Sequence, residues 1–221
     1  MKEILGFLKE LKINNNREWF TVHKDDYLKV KEKVETLAMQ LIAGVASFDP
    51  DAAMLSVADC TYRIYRDTRF SQDKTPYKTH IGIFINPLYG KKSNRMGYYL
   101  HLEPGNCFAA AGTVCLPSKT VSAIRQSIYD NVEEYLEIIN APAFKEAYPV
   151  VGENCLKTAP KGIPRDWEHI ELVRPKDFVT SHDLSLREVC ANDMPAKVTN
   201  LFRVAKPFND FINFTIDENN I

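Results

Sequence analysis

The sequence predicts an α+β fold, with one largely antiparallel sheet over about residues 60–115 covered by N- and C-terminal helices, all in a single domain spanning residues 1–221. Three observations predict it. Apolar residues recur at helical spacing at both ends of the chain. Between Cys60 and Cys115 the pattern changes to short segments, β-branched or aromatic in places and separated by turn residues. No internal repeat, low-complexity tract or Gly/Ser linker divides the chain, and helices flanking a block of strands suit a layer of helices on an antiparallel sheet.

Taken in order, Ile4, Leu5, Leu8 and Leu11 place a short amphipathic helix over 2–12. Asn14-Asn15-Asn16 interrupts it. Asn15 is positioned to cap a second helix, with Glu18 three residues on to complete a capping box. Trp19, Phe20, Tyr27, Val30, Val34, Leu37, Leu41 and Val45 carry that helix to about Ser47, and Trp19 and Phe20 read as core. Asp49-Pro50-Asp51 closes it. Strands are expected over 60–66, 80–86, 97–103 and 107–115, with a tight turn at Glu103-Pro104-Gly105-Asn106. The small residues Ala109-Ala110-Ala111-Gly112 leave room for another backbone, a helix or a ligand to approach. After Pro117, Val121, Ile124 and Ile128 mark one helix, and Val132, Tyr135, Leu136 and Ile139 the next. Residues 155–176, rich in Pro, Lys and Arg, are expected to be irregular, and Phe178–Leu184 to add an edge strand. A last helix runs from Met194 to about Phe214, with Pro207 expected to kink or break it.

Composition removes several functions. The 28 basic residues against 29 acidic ones give a net charge of −1, which does not suit a chain dedicated to duplex nucleic acid. The five cysteines are scattered, odd in number and without a Cys-x-x-Cys pair, so reduced thiols in a cytoplasmic protein are expected rather than a disulfide framework or zinc site. Charges break the apolar residues of the N-terminus, and no apolar run approaches the roughly 20 residues needed to span a bilayer. Gly90-Lys91-Lys92-Ser93 fails as a phosphate loop, because Ile85 stands where its first glycine belongs. Gly-x-Gly-x-x-Gly, His-Glu-x-x-His and Gly-x-Ser-x-Gly are all missing. The sequence names no cofactor, metal or catalytic residue.

What remains is residues 63–78. Arg63, Arg66, Arg69, Lys74 and Lys78 stand against Asp67 and Asp73, a local balance of +5 − 2 = +3, with Tyr65, Phe70 and Tyr77 among them. Such crowding of like charge is unfavourable unless something anionic compensates it. Three readings follow. Guanidinium forks and lysine point charges suit a small phosphate- or carboxylate-bearing ligand. That site would comprise Arg63, Arg66, Asp67, Arg69, Asp73, Lys74, Tyr77 and Lys78, joined by Tyr99, His101, Arg125 and Lys161 from later in the chain. Alternatively the chain is a hydrolase or transferase acting on such a ligand, with Asp67, Asp73 or His101 as acid or base. Or the aspartates pair with Arg66, Arg69 or Lys74 and the cluster is structural.

Arg63-Ile64-Tyr65-Arg66-Asp67-Thr68-Arg69-Phe70-Ser71, continued by Asp73-Lys74-Thr75-Pro76-Tyr77-Lys78-Thr79-His80, resembles the signature of the DUF2461 family. So do Asn14 to Phe20, Tyr98 to Gly105, Arg125 to Ile128, Leu156-Lys157 and Pro160-Lys161-Gly162, which together cover nearly the whole chain. The resemblance implies no biochemical activity and carries over no catalytic residue.

Overall fold

The computed structural model describes residues 1–88 and 90–219. The chain is arranged in two compact units. The first comprises Met1–Lys91, Tyr99–Ala109 and Asp183–Thr199; the second comprises Lys92–Tyr98, Ala110–His182 and Asn200 onward.

In the first unit, α1 (Lys2–Ile13) buries Ile4, Leu5, Phe7, Leu8 and Leu11. A helix of that length is marginal by itself. Each fully buried Leu or Ile contributes about 1.5–3 kcal/mol, so packing rather than propensity holds it. The partner is α3 (Lys24–Ala46), which buries Val30, Val34, Leu37, Ala38, Leu41, Ile42 and Val45. Between them lies the short α2 (Arg17–Val22). Its cap is Asn16, which accepts from the Trp19 amide at 2.8 Å, and not Asn15 as the spacing suggested. The Asn15 amide is committed elsewhere, as described below. The expected single helix is divided at His23, whose ring stacks on Trp19 at 4.0 Å and whose Nδ1 lies 2.9 Å from the Trp19 carbonyl.

The sheet contains β1 (Ile81–Ile85), β2 (Gly97–Leu102), β3 (Phe108–Thr113), β4 (Val151–Glu153) and β5 (Asp177–Asp183). It is antiparallel, in the order β1-β2-β3-β5-β4. The α+β class is thus as expected, with three corrections within it.

First, 60–66 is not a strand. Val57–Cys60 is a helical turn, α4, closed by a capping box between Ser56 and Asp59. Beyond it only two isolated antiparallel bridges form, Thr61 to Ile83 and Tyr65 to Tyr77. The start of the segment is spent on that turn, whose last carbonyl-to-amide bond runs from Val57 to Thr61, and the facing segment carries Pro76, which has no amide to give. Second, the strand at 178–184 is not at the edge, because β4 lies outside it, paired Val151 to Thr180 and Glu153 to Asp177 with an irregularity between. A three-residue strand is too short to show period two. Third, the last helix, α9 (Met194–Glu218), runs unbroken through Pro207. Pro207 lies on its exposed side, and the buried Phe202, Ala205, Phe208 and Ile212 hold the helix together.

The small-residue run does admit another backbone. Gly112 has φ +122°, and a Cβ there would stand 2.3 Å from the Phe178 carbonyl oxygen on β5. In the second unit, α5 (Ser118–Asp130), α6 (Val132–Asn140) and the short α7 (Pro142–Ala147) precede β4. Tyr135 and Phe144 place their rings 6.4 and 5.7 Å from that of Phe208. Asn213 of α9 holds both backbone groups of Met96, just before β2, at 2.7 and 3.3 Å. A turn of helix, α8 (Leu186–Val189), lies in the first unit.

Candidate functional site

The segment 61–78 is a long loop pinned at its base. There the Arg66 amide donates to the Pro76 carbonyl at 2.9 Å and the Lys78 amide to the Ile64 carbonyl at 2.8 Å. Asn15 fastens this base to the N-terminal helices. Its Nδ2 donates to the Tyr77 carbonyl at 2.9 Å, and its Oδ1 accepts from the Tyr77 amide at 3.1 Å. The Tyr77 ring is buried and stacked on Phe20 at 4.0 Å. Of the motif's aromatics, Tyr77 therefore joins the core.

The loop's arginines are occupied within the loop. Arg66 pairs with Asp73 and with the hydroxyl and carbonyl of Thr75. Asp73 also accepts from the Thr75 amide at 2.9 Å. These bonds from Thr75, then the one from Arg66, pull its carboxyl down to about 2. Arg69 forms a forked pair with Asp67, Nη2 to Oδ2 at 2.7 Å, and holds that carboxyl below its ordinary range. Lys74 donates to the Thr68 carbonyl at 2.9 Å.

Lys78 and Arg63 are different. Among the described residues neither side chain makes an ion pair or a hydrogen bond. The Lys78 ammonium lies 5.2 Å from the centre of the Tyr62 ring, and the Lys91 ammonium 5.6 Å from the same ring. Among the described residues Lys91 bonds only carbonyls, those of Ala58 and Thr61. Burial, then repulsion from Arg63 and Lys91, lowers the Lys78 pKa.

This cationic corner adjoins one face of the sheet. Strand alternation sends Ile83, Ile85, Leu100 and Leu102 to the buried face. The other receives Gly82, Phe84, Tyr99, His101 and Phe108, followed by Glu103 just past β2, with His80 at the entry to β1. The Tyr99 hydroxyl lies 2.9 Å from His101 Nδ1, and His101 Nε2 lies 3.4 Å from Glu103 Oε2. His101 is sandwiched by rings, Phe108 at 4.7 Å and His80 at 4.8 Å. Gly82 makes room for Tyr99, since a Cβ there would meet its hydroxyl at 2.6 Å. Burial, and then Tyr62, pushes the Tyr99 phenol up to about 12. Burial also lowers the His101 pKa, against the pull of Glu103. In Glu103 burial acts upward, but the bonds from Lys12, at 3.2 Å, and His101 outweigh it and keep the carboxylate ionised.

The twelve residues expected to share a site therefore divide. Arg66, Asp67, Arg69, Asp73 and Lys74 form the loop's own network, and Tyr77 is core. Arg63 and Lys78 make the cationic corner, and Tyr99 and His101 lie on the polar face. In the second unit, Arg125 donates to the carbonyls of Arg174 and Pro175, at 3.3 and 2.7 Å, and Lys161 is exposed. Sequence reasoning missed Tyr62, Lys91 and Glu103. The alternation Tyr99-x-His101-x-Glu103 was legible as one face of a strand and was the available signal.

Among the described residues, no three His, Cys, Asp or Glu side chains are grouped to hold a metal ion, and no helix is long and apolar enough to cross a membrane. No curated protein and no solved structure matches the chain. A family model does match, over residues 3–211, and the chain accordingly belongs to the family described as conserved hypothetical protein DUF2461.

Proposed function

We propose that the chain binds a small dianion, of the kind a phosphate ester presents, at Lys78, Lys91 and Arg63 beside the Tyr62 ring. One observation carries this reading: two ammonium groups converge on a single ring, 5.2 and 5.6 Å from its centre, and among the described residues no carboxylate is bonded to either. Partial burial of an unpaired cation costs free energy, and an anion offsets that cost. Three clustered cations suit a dianion better than a single carboxylate. Tyr62 adds a half-exposed ring on which a sugar or base can rest.

The loop arginines have a different role in this reading. Arg69 already holds Asp67 by a fork and Arg66 holds Asp73 through Nη1, which favours a structural network that shapes the loop. The test is titration with inorganic phosphate in a phosphate-free buffer, followed by calorimetry. Wild type is expected to bind, and Lys78→Met to lose at least tenfold in affinity, since a charge-assisted hydrogen bond contributes about 1.5–3 kcal/mol. Equal affinity in the two proteins, or no binding by wild type, defeats the reading.

A further inference from the structure

Resting on that anion site, we propose that Tyr99, His101 and Glu103 form a proton relay that hydrolyses a phosphate monoester held at Lys78. The proton positions follow from the chemistry of the three groups. Glu103 is ionised and can only accept, so the proton between it and His101 belongs to Nε2. A neutral imidazole then has a bare Nδ1, and the Tyr99 hydroxyl donates to it at 2.9 Å. The Tyr99 oxygen keeps its lone pairs for a proton arriving from outside. The line is thus loaded as a base, with a carboxylate waiting behind the imidazole to stabilise the imidazolium.

No structural need explains this arrangement. Phenylalanine at 99 and an apolar residue at 101 would pack the same face, between Phe84 at 6.5 Å from the Tyr99 ring and Phe108 at 4.7 Å from the His101 ring. Gly82 is small where any side chain would displace the hydroxyl. Tyr62 joins relay and cations: it carries both ammonium groups over its ring, and the bridge of Thr61 to Ile83 sets it beside Gly82, over which the Tyr99 hydroxyl sits.

The step balances as follows. A water oxygen attacks phosphorus while its proton passes to the Tyr99 oxygen and the Tyr99 proton passes to His101 Nδ1. The P–O bond to the leaving group breaks, and the leaving group departs with that electron pair. The imidazolium then returns its proton through Tyr99 to an alkoxide leaving group, or to solvent when the leaving group is stable as an anion. Lys78 offsets charge on the phosphoryl oxygens. Tyr99 is the catalytic residue, and His101 and Glu103 act through it.

The experiment uses p-nitrophenyl phosphate, whose leaving group needs no proton and so isolates the base. Wild type should release p-nitrophenolate. Tyr99→Phe should lower kcat by a factor of about 10²–10⁴, with affinity for inorganic phosphate kept within about threefold and melting unchanged. His101 faces Tyr99 and Glu103 on its own strand, His80 and Phe108 from the neighbouring ones, Lys12 through Glu103 and Lys78 through His80. Activity needs it neutral, so kcat should fall as pH drops through its pKa, below 6.5. His101→Gln should abolish that limb. Glu103→Gln should move it to lower pH, because the carboxylate favouring the imidazolium is gone. Phosphate bound by wild type without hydrolysis overturns the relay and leaves the anion site standing. Turnover undiminished in Tyr99→Phe does the same. Failure of wild type to bind phosphate removes both.

Discussion

Asparagine does at two places what no other side chain does as well: it satisfies an amide and a carbonyl of one distant residue together. Asn15 holds Tyr77, and Asn213 holds Met96. The Asn15 clamp sets the base of the 61–78 loop, and therefore where Lys78, the next residue, emerges. Truncation to alanine would leave two part-buried backbone groups of Tyr77 unpaired, at about 1–3 kcal/mol each if neither reaches water. Asn15→Ala is therefore expected to lower stability by about 1–3 kcal/mol after water partly compensates, and Asn15→Asp, which keeps the acceptor and loses the donor, by less. Denaturant unfolding of both variants measures it. An unchanged midpoint for Asn15→Ala would show that the clamp does not hold the loop. Nothing in the sequence distinguished Asn15 from Asn16 as a cap, because both precede a helix at suitable spacing. The choice is made by a contact 62 positions away.

At the scale of elements, the loop between Arg66 and Pro76 resists a simple reading of charge. A balance of +3 over residues 63–78 looked like a ligand site, yet most of its charge is arranged as local forks. Arg66 meets Asp73 and Thr75, and Arg69 meets Asp67. Because Asp67, Arg69 and Asp73 are exposed to solvent, which screens them, these pairs add little to stability. Arg66→Lys keeps the charge and replaces the single Nη1 that makes all three bonds with an ammonium. It should lower Tm by no more than about 4 °C, since 1 kcal/mol corresponds to about 2–4 °C in a chain of this size, and should leave phosphate affinity unchanged. A tenfold loss of affinity would return the anion site to the loop arginines. The periodicity that placed the helices and three of the central strands was legible because it reports burial on one face. The error at 60–66 has the same origin: alternation of apolar and polar residues is necessary for a strand but not sufficient, and here the Thr61 amide closes a helical turn on Val57 while the facing segment presents Pro76, which has no amide to donate. The candidate site was half legible. Lys78, Arg63, Tyr99 and His101 were named from charge and chemistry, and Glu103 could be read from its alternation with them, whereas Tyr62 and Lys91 become partners only through a bridge between distant segments that no local pattern encodes.

For the whole molecule, the cationic corner sets binding against stability. Burial, Arg63 and Lys91 all press the Lys78 pKa below its unfolded value of 10.5, so the folded chain carries a cost whenever Lys78 is charged. The sign follows from linkage. Between the depressed folded pKa and 10.5 the unfolded chain binds more protons, so stability rises with pH across that window, and below it the cost is fully present. A cation–π contact with Tyr62, about 0.5–1 kcal/mol at an exposed site, opposes that cost. Lys78→Met keeps the stem that packs beside Tyr62 and removes the charge. In phosphate-free buffer at pH 7 it should melt at a higher temperature than wild type, and it should lack the wild type's gain in stability on the way to pH 10.5. Adding phosphate should raise the wild-type Tm, by the equivalent of about 2.7 kcal/mol at a hundred times Kd, and raise the variant's by no more than the equivalent of about 1.4 kcal/mol at the same concentration, since its affinity is at least tenfold weaker. Thermal melts across pH, with and without phosphate, read all three quantities. A variant less stable than wild type at pH 7 would mean that Lys78 is held by Tyr62 for the sake of the fold, and the cations would then need no ligand to explain them.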